Sequence, residues 1–390
     1  MIVLSIAGGV AVLAWVYLLL DRGWFWRLGR ITVRSAPGPA LTRRVAVIIP
    51  ARNEAGTISR SVDSLLEIAG EFLHIFVVDD ASHDGTAQVA RQAAASRNRT
   101  DALAILQSPP LPPGWTGKLW AVSQGIAAAR EYAPDFFLLS DADIAHSPTT
   151  IPSLVALAEE GGYDLVSLMV KLHCSGWAEK LLIPAFVFFF FKLYPPAWIS
   201  DSRRAAAGAA GGCLLIRPAA LAGAGGIEAI RGEIIDDCAL ARAVKRRGGR
   251  VWLGLTDASL SLRPYGSFAG IGRMISRTAF NQLRHSGLLL LGAVAGMAAI
   301  YLLPPALLFS RRDVPMALGV AGWILMTFAY LPMVRFYRLH PLWALTLPLG
   351  AVFYMGATIH SAVRFWMGSG GEWKGRAQDR ASGSSVTMSV

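Results

Sequence analysis

Charge is scarce in this sequence. Only 16% of its 390 residues are Asp, Glu, Lys or Arg, against 54% hydrophobic, and the mean hydropathy is positive. That balance excludes an ordinary soluble domain of this size and points to a membrane protein. Cysteine is almost absent as well. Cys174, Cys213 and Cys238 are odd in number and widely spaced, which excludes a disulfide framework and a zinc site and leaves reduced, structural thiols. Zinc-finger spacing is also missing, so the net charge of +11 is not read as a nucleic-acid signature. The basic residues gather near the apolar stretches and at Lys245-Arg246-Arg247, as attraction to anionic lipid headgroups requires.

Four stretches hold the apolar excess: 2–20, 288–309, 314–334 and 341–363. The first three contain no charge, and the fourth contains only His360. Each is long enough to cross the hydrocarbon core, about 30 Å thick, as a helix. The first lacks a basic region before it and a small-residue cleavage site after it, so residues 1–22 read as a retained anchor. Trp24, Phe25 and Trp26 follow, with Arg22, Arg27, Arg30 and Arg34, a mixture expected on the cytoplasmic side. The expectation is a multi-pass protein of the inner (cytoplasmic) membrane with its central region in the cytosol. Three C-terminal crossings would then place Arg364, Lys374, Arg376 and Arg380 outside, against the positive-inside tendency, unless one segment is re-entrant. Residues 181–198 are aromatic but interrupted by Pro184, Lys192 and Pro195-Pro196. They read as an interfacial helix able to receive a lipid, or equally as a helix packed in the core.

After a linker at 35–44 containing Pro37-Gly38-Pro39, the pattern changes to short β-branched runs alternating with helical stretches. Strands are expected at 45–49, 75–78, 103–106 and 136–140, and helices at 55–69, 86–96 and 119–132. This βαβαβ succession predicts an α/β nucleotide-binding domain, whose functional residues gather beyond the carboxyl ends of the strands.

Three acidic motifs fall at such ends. Pro50-Ala51-Arg52-Asn53-Glu54 follows the first strand and is also what a strand, turn and helix cap would look like. Asp79-Asp80-Ala81-Ser82-His83-Asp84-Gly85-Thr86 places two carboxylates at a buried strand terminus, where they need partners such as base and ribose groups. In Asp141-Ala142-Asp143 the two carboxylates, two apart on extended chain, can face one site and offer hard oxygen ligands to a divalent cation. Any one of these is weak evidence, since aspartates also populate turns.

Together, in this order, they resemble the family 2 glycosyltransferases over about residues 45–262. The resemblance implies a GT-A fold, a Rossmann-like nucleotide-sugar-binding domain. It also implies that Pro50, Glu54, Asp79 and Asp80 line the nucleoside pocket, and that Asp141 and Asp143 handle diphosphate and a Mg2+ or Mn2+ ion. Glu233-Ile234-Ile235-Asp236-Asp237 resembles the family's Glu-Asp signature, with Asp236 in the usual glutamate position, and implies that Asp237 is the general base of an inverting displacement. Acidic residues also suit a helix start without catalysis.

Lys118, in Pro112-Pro113-Gly114-Trp115-Thr116-Gly117-Lys118, stands at a helix start where the dipole disfavours it, and a diphosphate contact would explain it. This element and Arg277-Thr278-Ala279-Phe280-Asn281-Gln282-Leu283-Arg284 are similar to the hopene-associated and ceramide glucosyltransferase-like branch. Arg277, Gln282 or Arg284 can then clamp the diphosphate, or belong to a basic interfacial segment at 263–286 that precedes the membrane helices of 287–364 and a tail of 365–390.

The function expected is single transfer of a sugar, from a UDP-linked donor, to a hydroxyl of a membrane lipid in hopanoid biosynthesis. A processive polysaccharide synthase is disfavoured because Asn281-Gln282-Leu283-Arg284-His285 departs from the Gln-x-x-Arg-Trp signature. A non-catalytic lipid-binding scaffold is disfavoured because buried, unpaired carboxylates are costly. The Ala/Gly run 205–212 reads either as room for the acceptor or as a packed strand edge.

Overall fold

The structure, a computed structural model, describes residues 2–33, 40–68 and 70–367, with the backbone of 372–373 and 376–377. The Pro37-Gly38-Pro39 linker, Lys374, Arg380 and most of the expected tail lie outside the described residues. Chain order is α1 (Ile2–Leu20), β1 (Thr32–Val33), β2 (Val45–Ala51), α2 (Ile58–Leu66), β3 (Leu73–Asp79), α3 (Thr86–Ser96), β4 (Leu103–Gln107), α4 (Gly117–Ala129), β5 (Phe136–Ser140), β6 (Ile144–His146), α5 (Thr150–Glu160) and β7 (Leu165–Lys171). Then come α6 (Trp177–Leu193), α7 (Pro196–Ser200), β8 (Cys213–Ile216), α8 (Pro218–Gly223), α9 (Asp236–Arg246) and β9 (Val251–Ser261). The expected βαβαβ succession is present, with α3 and β5 at the expected bounds.

The strands form one sheet in the order β1-β9-β7-β8-β5-β2-β3-β4, with β6 added to β9. Strands β2 to β5 pair in parallel and β8 is antiparallel to its neighbours. Alternation decides the packing. Along β2, Ala46 and Ile48 enter one apolar cluster, while Val45, Val47 and Ile49 enter another on the opposite face, as a strand covered on both sides requires. Helix α4 lies close on the sheet at Gly125, where a Cβ would stand 2.6 Å from Ile48 Cγ2 and 3.0 Å from Val78 Cγ2. Because the parallel strands share a direction, Ala51, Asp79 and Ser140 end on one edge, and the start of antiparallel β8 is brought there too. The sheet also takes in Thr32 and Val33, upstream of the domain start expected at residue 45.

The chain continues through α10 (Phe268–Ser276), α11 (Ala279–Gln282), α12 (Gly287–Met297), α13 (Leu303–Leu307), α14 (Asp313–Phe336) and α15 (Leu347–Trp366). Five helices or helix pairs are long and apolar enough to cross a membrane: Ile2–Leu20, Trp177–Ser200, Gly287–Leu307, Asp313–Phe336 and Pro341–Trp366. The sequence expectation was four. The sheet constrains the extra one. Strands β7 and β8, which flank α6 and α7, pair with Leu165 opposite Ile216, so a single crossing between them would put paired strands on opposite sides of the bilayer. Helix α6 must therefore enter and leave on one face, and its Leu182, Ile183 and Phe188 are buried.

Helix α15 is constrained similarly. Lys171, at the end of β7, lies over the rings of Phe336 and Tyr337, which puts the end of α14 on the catalytic side. Arg364, near the end of α15, lines the same cavity as Asp141. Both ends of the 341–366 segment thus face the α/β domain, and α15 serves as the re-entrant segment that the charge pattern called for.

Candidate active site

The Asp141-Ala142-Asp143 turn is set by what lies behind it. Ser140 Oγ and Ser259 Oγ each share a 2.9 Å hydrogen bond with the ring of His146, and all three residues are buried. Burial lowers the His146 pKa to about 4, so the ring is neutral and bridges the two hydroxyls. In front of the turn, the N-terminus of α4 is capped by Thr116 Oγ1, which accepts from Leu119 N at 3.3 Å. This places Lys118 with its Nζ 3.0 Å from Asp141 Oδ1 and 3.1 Å from Asp236 Oδ2. Two carboxylates offset the unfavourable helix dipole at that position. Burial works against the ammonium, but Asp141, Asp236 and Asp237 outweigh it and hold the Lys118 pKa above that of a free lysine.

Asp143 has a different partner. Arg263 Nε donates to Asp143 Oδ2 at 2.8 Å, and its Nη2 donates to both oxygens of Glu54 at 2.6 Å. Glu54 in turn sits on a turn interlocked with the second motif: Glu54 N donates to Thr86 Oγ1 at 2.8 Å and Ala55 N to Asp84 Oδ2 at 3.0 Å. Asn53 takes a left-handed φ of 52°, tolerated by asparagine, and its Oδ1 accepts from His83 N at 3.0 Å.

Asp236 and Asp237 open α9. Burial first, and then the neighbouring Asp236 charge, push the Asp237 pKa up to about 7, against the opposing pull of Lys118. Asp141 is also raised, by burial and by Asp143 and Asp236. Gly211 faces both groups, since a Cβ there would lie 3.3 Å from Asp237 Oδ2 and 3.4 Å from Lys118 Nζ. The 205–212 run is therefore a bare wall of the site, and its Ala210 exchanges hydrogen bonds with Ser167 Oγ.

A cavity of about 690 Å³ joins these groups. Pro50, Glu54, Lys118, Asp141, Asp143, Asp236, Asp237 and Arg277 all line it, together with Arg263 and Tyr265, which the sequence reading did not single out. Arg263 lies one residue past the expected domain boundary, and its only sequence signal is a cation beside the end of β9. Gln282 and Arg284 lie outside this lining. Gln282 instead accepts from the Tyr194 hydroxyl at 2.9 Å.

The expectation that Asp79 and Asp80 need a ligand is corrected. Asp79 accepts from Gln107 Nε2 and Ser82 N, each at 3.1 Å, and Arg52 pairs with Asp80 at 3.6 Å. The chain itself satisfies their burial, and neither lines the cavity. Pairing likewise weakens the case against a scaffold from unpaired carboxylates. A surplus takes its place: Glu54, Asp141, Asp143, Asp236 and Asp237 share two cations, Lys118 and Arg263.

Comparison with known proteins agrees with this geometry. The Glycosyl transferase family 2 description matches residues 46–221. The chain belongs to glycosyltransferase family 2. It is 28% identical over 139 residues, 35% of its length, to the undecaprenyl-phosphate 4-deoxy-4-formamido-L-arabinose transferase of Aeromonas hydrophila. The match spans 40% of that protein. A mannosyltransferase of Pyrobaculum calidifontis, solved in complex with GDP-Man and Mn2+, superposes with a TM-score of 0.55 over 92% of this chain and 98% of its own, at 20% identity. That likeness shows the fold, the mixed α/β GT-A architecture followed by apolar helices.

Proposed function

We propose that this family 2 enzyme transfers a sugar, with inversion, from a nucleotide-diphosphate donor to an oxygen nucleophile carried by a membrane lipid. The observation that carries this reading is the placement of Asp237, a carboxylate with a raised pKa, in one cavity with Lys118 and the Asp141-Ala142-Asp143 turn. Lys118 and Arg263 supply fixed positive charge for the donor's diphosphate, and the start of α4 adds backbone N–H groups pointing the same way. Pro50 and Glu54 border the nucleoside side. Asp237 accepts the acceptor's proton while the oxygen attacks the anomeric carbon from the face opposite the departing diphosphate. A pKa near neutrality suits a base that must be ionised before reaction yet hold a proton during it.

A divalent metal fits the residues present. The donors are hard carboxylate oxygens, with one or two carboxylates left for substrate phosphates to complete, as Mg2+ prefers, and the negative surplus calls for a cation before a diphosphate can enter. Asp141 and Asp143 would hold it, and when bound it would neutralise the leaving diphosphate. We assign a UDP-linked donor and a catalytic domain on the cytosolic side, where nucleotide sugars and the Arg22 to Arg34 cluster both belong.

The test is turnover of UDP-sugars by purified protein in lipid, alongside calorimetric binding of UDP. Asp237→Asn should bind nucleotide and fail to transfer. Asp143→Ala should lose Mn2+-dependent nucleotide binding. Full activity of either variant would overturn its assignment.

A further inference from the structure

The cavity continues past the acidic groups to a second end of opposite charge. There Arg273 and Arg277 stand one turn apart on α10, and Arg364 lies near the end of α15. The two helices run side by side in the same direction: Phe268 meets Phe353 at a ring separation of 6.0 Å, and eight residues on in each helix the Ser361 hydroxyl donates to the Ser276 carbonyl. Phe280 N donates to the same hydroxyl at 3.1 Å. Three guanidinium-bearing residues are thereby fixed around one space. No Asp or Glu occurs between Arg263 and Asp313, or from there to Glu372, so neither helix carries a carboxylate to balance them.

The walls of this end are apolar. Phe186 and Phe190 of α6 line it with Met274, while outward-facing Phe268, Leu349 and Val352 are exposed as lipid contacts would be. Tyr265 feels the charges of Asp141, Asp143, Arg263 and Arg277, so the cationic end adjoins the acidic one. A group of arginines at an apolar, membrane-level mouth matches a phosphate on a hydrocarbon tail: guanidinium forks bind phosphate oxygens in pairs, and the aromatic wall takes the chain.

We infer that the Arg273, Arg277 and Arg364 cluster binds the phosphate monoester of a polyprenyl-type lipid, so that the acceptor is a lipid phosphate and not a lipid alcohol. This rests on the glycosyl-transfer reading above and names its acceptor. A phosphate oxygen then forms the new bond to the anomeric carbon with its own electron pair, and the carbon–oxygen bond to the diphosphate breaks with its pair leaving on the nucleoside diphosphate. The products are a lipid phosphoryl sugar and the nucleoside diphosphate. Where the phosphate enters as its monoanion, its remaining proton passes to Asp237. Arg277 thereby moves from the donor clamp expected from sequence to the acceptor.

The experiment uses full-length protein in phosphatidylcholine nanodiscs and reads binding of farnesyl phosphate and of farnesol without any donor. Wild type should retain farnesyl phosphate and not farnesol. Arg273→Gln/Arg277→Gln should weaken retention by about tenfold or more, the scale of a lost charge-assisted pair, with UDP affinity unchanged, and Arg277→Lys should recover part of it. Equal retention of farnesol, equal competition by inorganic phosphate, or equal retention of phosphatidylglycerol would each overturn the assignment, as would loss of UDP affinity in the double variant. Transfer is read separately in the same discs. Farnesyl phosphate binding without transfer from any nucleotide sugar overturns the catalytic reading alone, whereas transfer to farnesol without farnesyl phosphate binding overturns the arginine cluster alone.

Discussion

Replacing Lys118 with Met removes the one cation that touches both Asp141 and Asp236 while nearly preserving side-chain volume. Two charge-assisted hydrogen bonds are lost, at 3.0 and 3.1 Å, and such bonds contribute about 1.5–3 kcal/mol each when screened from water. The lysine and Asp236 side chains are 22% exposed and Asp141 is 38% exposed, so the Asp141 bond is discounted towards surface-pair values of about 0–1 kcal/mol. Relief from burying an ammonium offsets a further part. The net expectation is a loss of about 2 kcal/mol, measured as a lower unfolding midpoint in denaturant. Because the carboxylates are then uncompensated, Mn2+ should stabilise the variant more than it stabilises wild type, and UDP without metal should bind at least tenfold more weakly. Lys118→Arg should behave nearer to wild type. A Lys118→Met protein with stability within about 0.5 kcal/mol of wild type and UDP affinity within twofold would refute the electrostatic account, since a residue that only packs against α4 would leave both unmoved.

The base assignment carries a pH signature. The Asp237 pKa is raised to about 7 and the reactive form is the ionised one, so kcat/KM should fall about tenfold per pH unit below that value and level off above it; a profile flat down to pH 5 would exclude Asp237 as the base. Asp237→Asn should lower kcat by about 10²–10⁴-fold with little change in UDP binding measured by calorimetry. Arg263→Gln leaves Glu54 and Asp143 facing one another without their shared cation. Since Arg263 is 38% exposed, stability should drop by only about 1 kcal/mol, while donor KM rises more than tenfold in steady-state kinetics. Gly125→Val should destabilise by about 1–3 kcal/mol in denaturant unfolding, because its Cβ would collide with Ile48 and Val78.

How much was legible beforehand varied with the range of the interaction involved. The strands β2, β3 and β5 and the helix α3 could be read directly, since β-branched runs and helical spacing are local signals. The Asp-rich turns were legible as candidates because each lies at a strand end. Their partners were not: Arg263 reaches Glu54 from 209 positions away, and His146 is anchored by Ser259 from 113 positions away. Asp79 and Asp80 were misjudged for the same reason, as Gln107 and Arg52 carry no motif that marks them as satisfying partners.

The sequence by itself determined that the protein has apolar helices beside an α/β domain, that acidic residues cluster at the carboxyl ends of its strands, and that the family is glycosyltransferase family 2. These follow from composition, periodicity and ordered short motifs, which are properties of neighbouring residues. Only the tertiary structure decided which carboxylates are neutralised and by what, that α6 and α15 return to the face they left, and that Arg273, Arg277 and Arg364 meet at one cavity. Sheet pairing and helix packing impose those juxtapositions. Two strands hydrogen-bonded to each other cannot lie on opposite sides of a bilayer, and this constraint is invisible to hydropathy, which counts apolar residues without knowing where a segment's two ends are held.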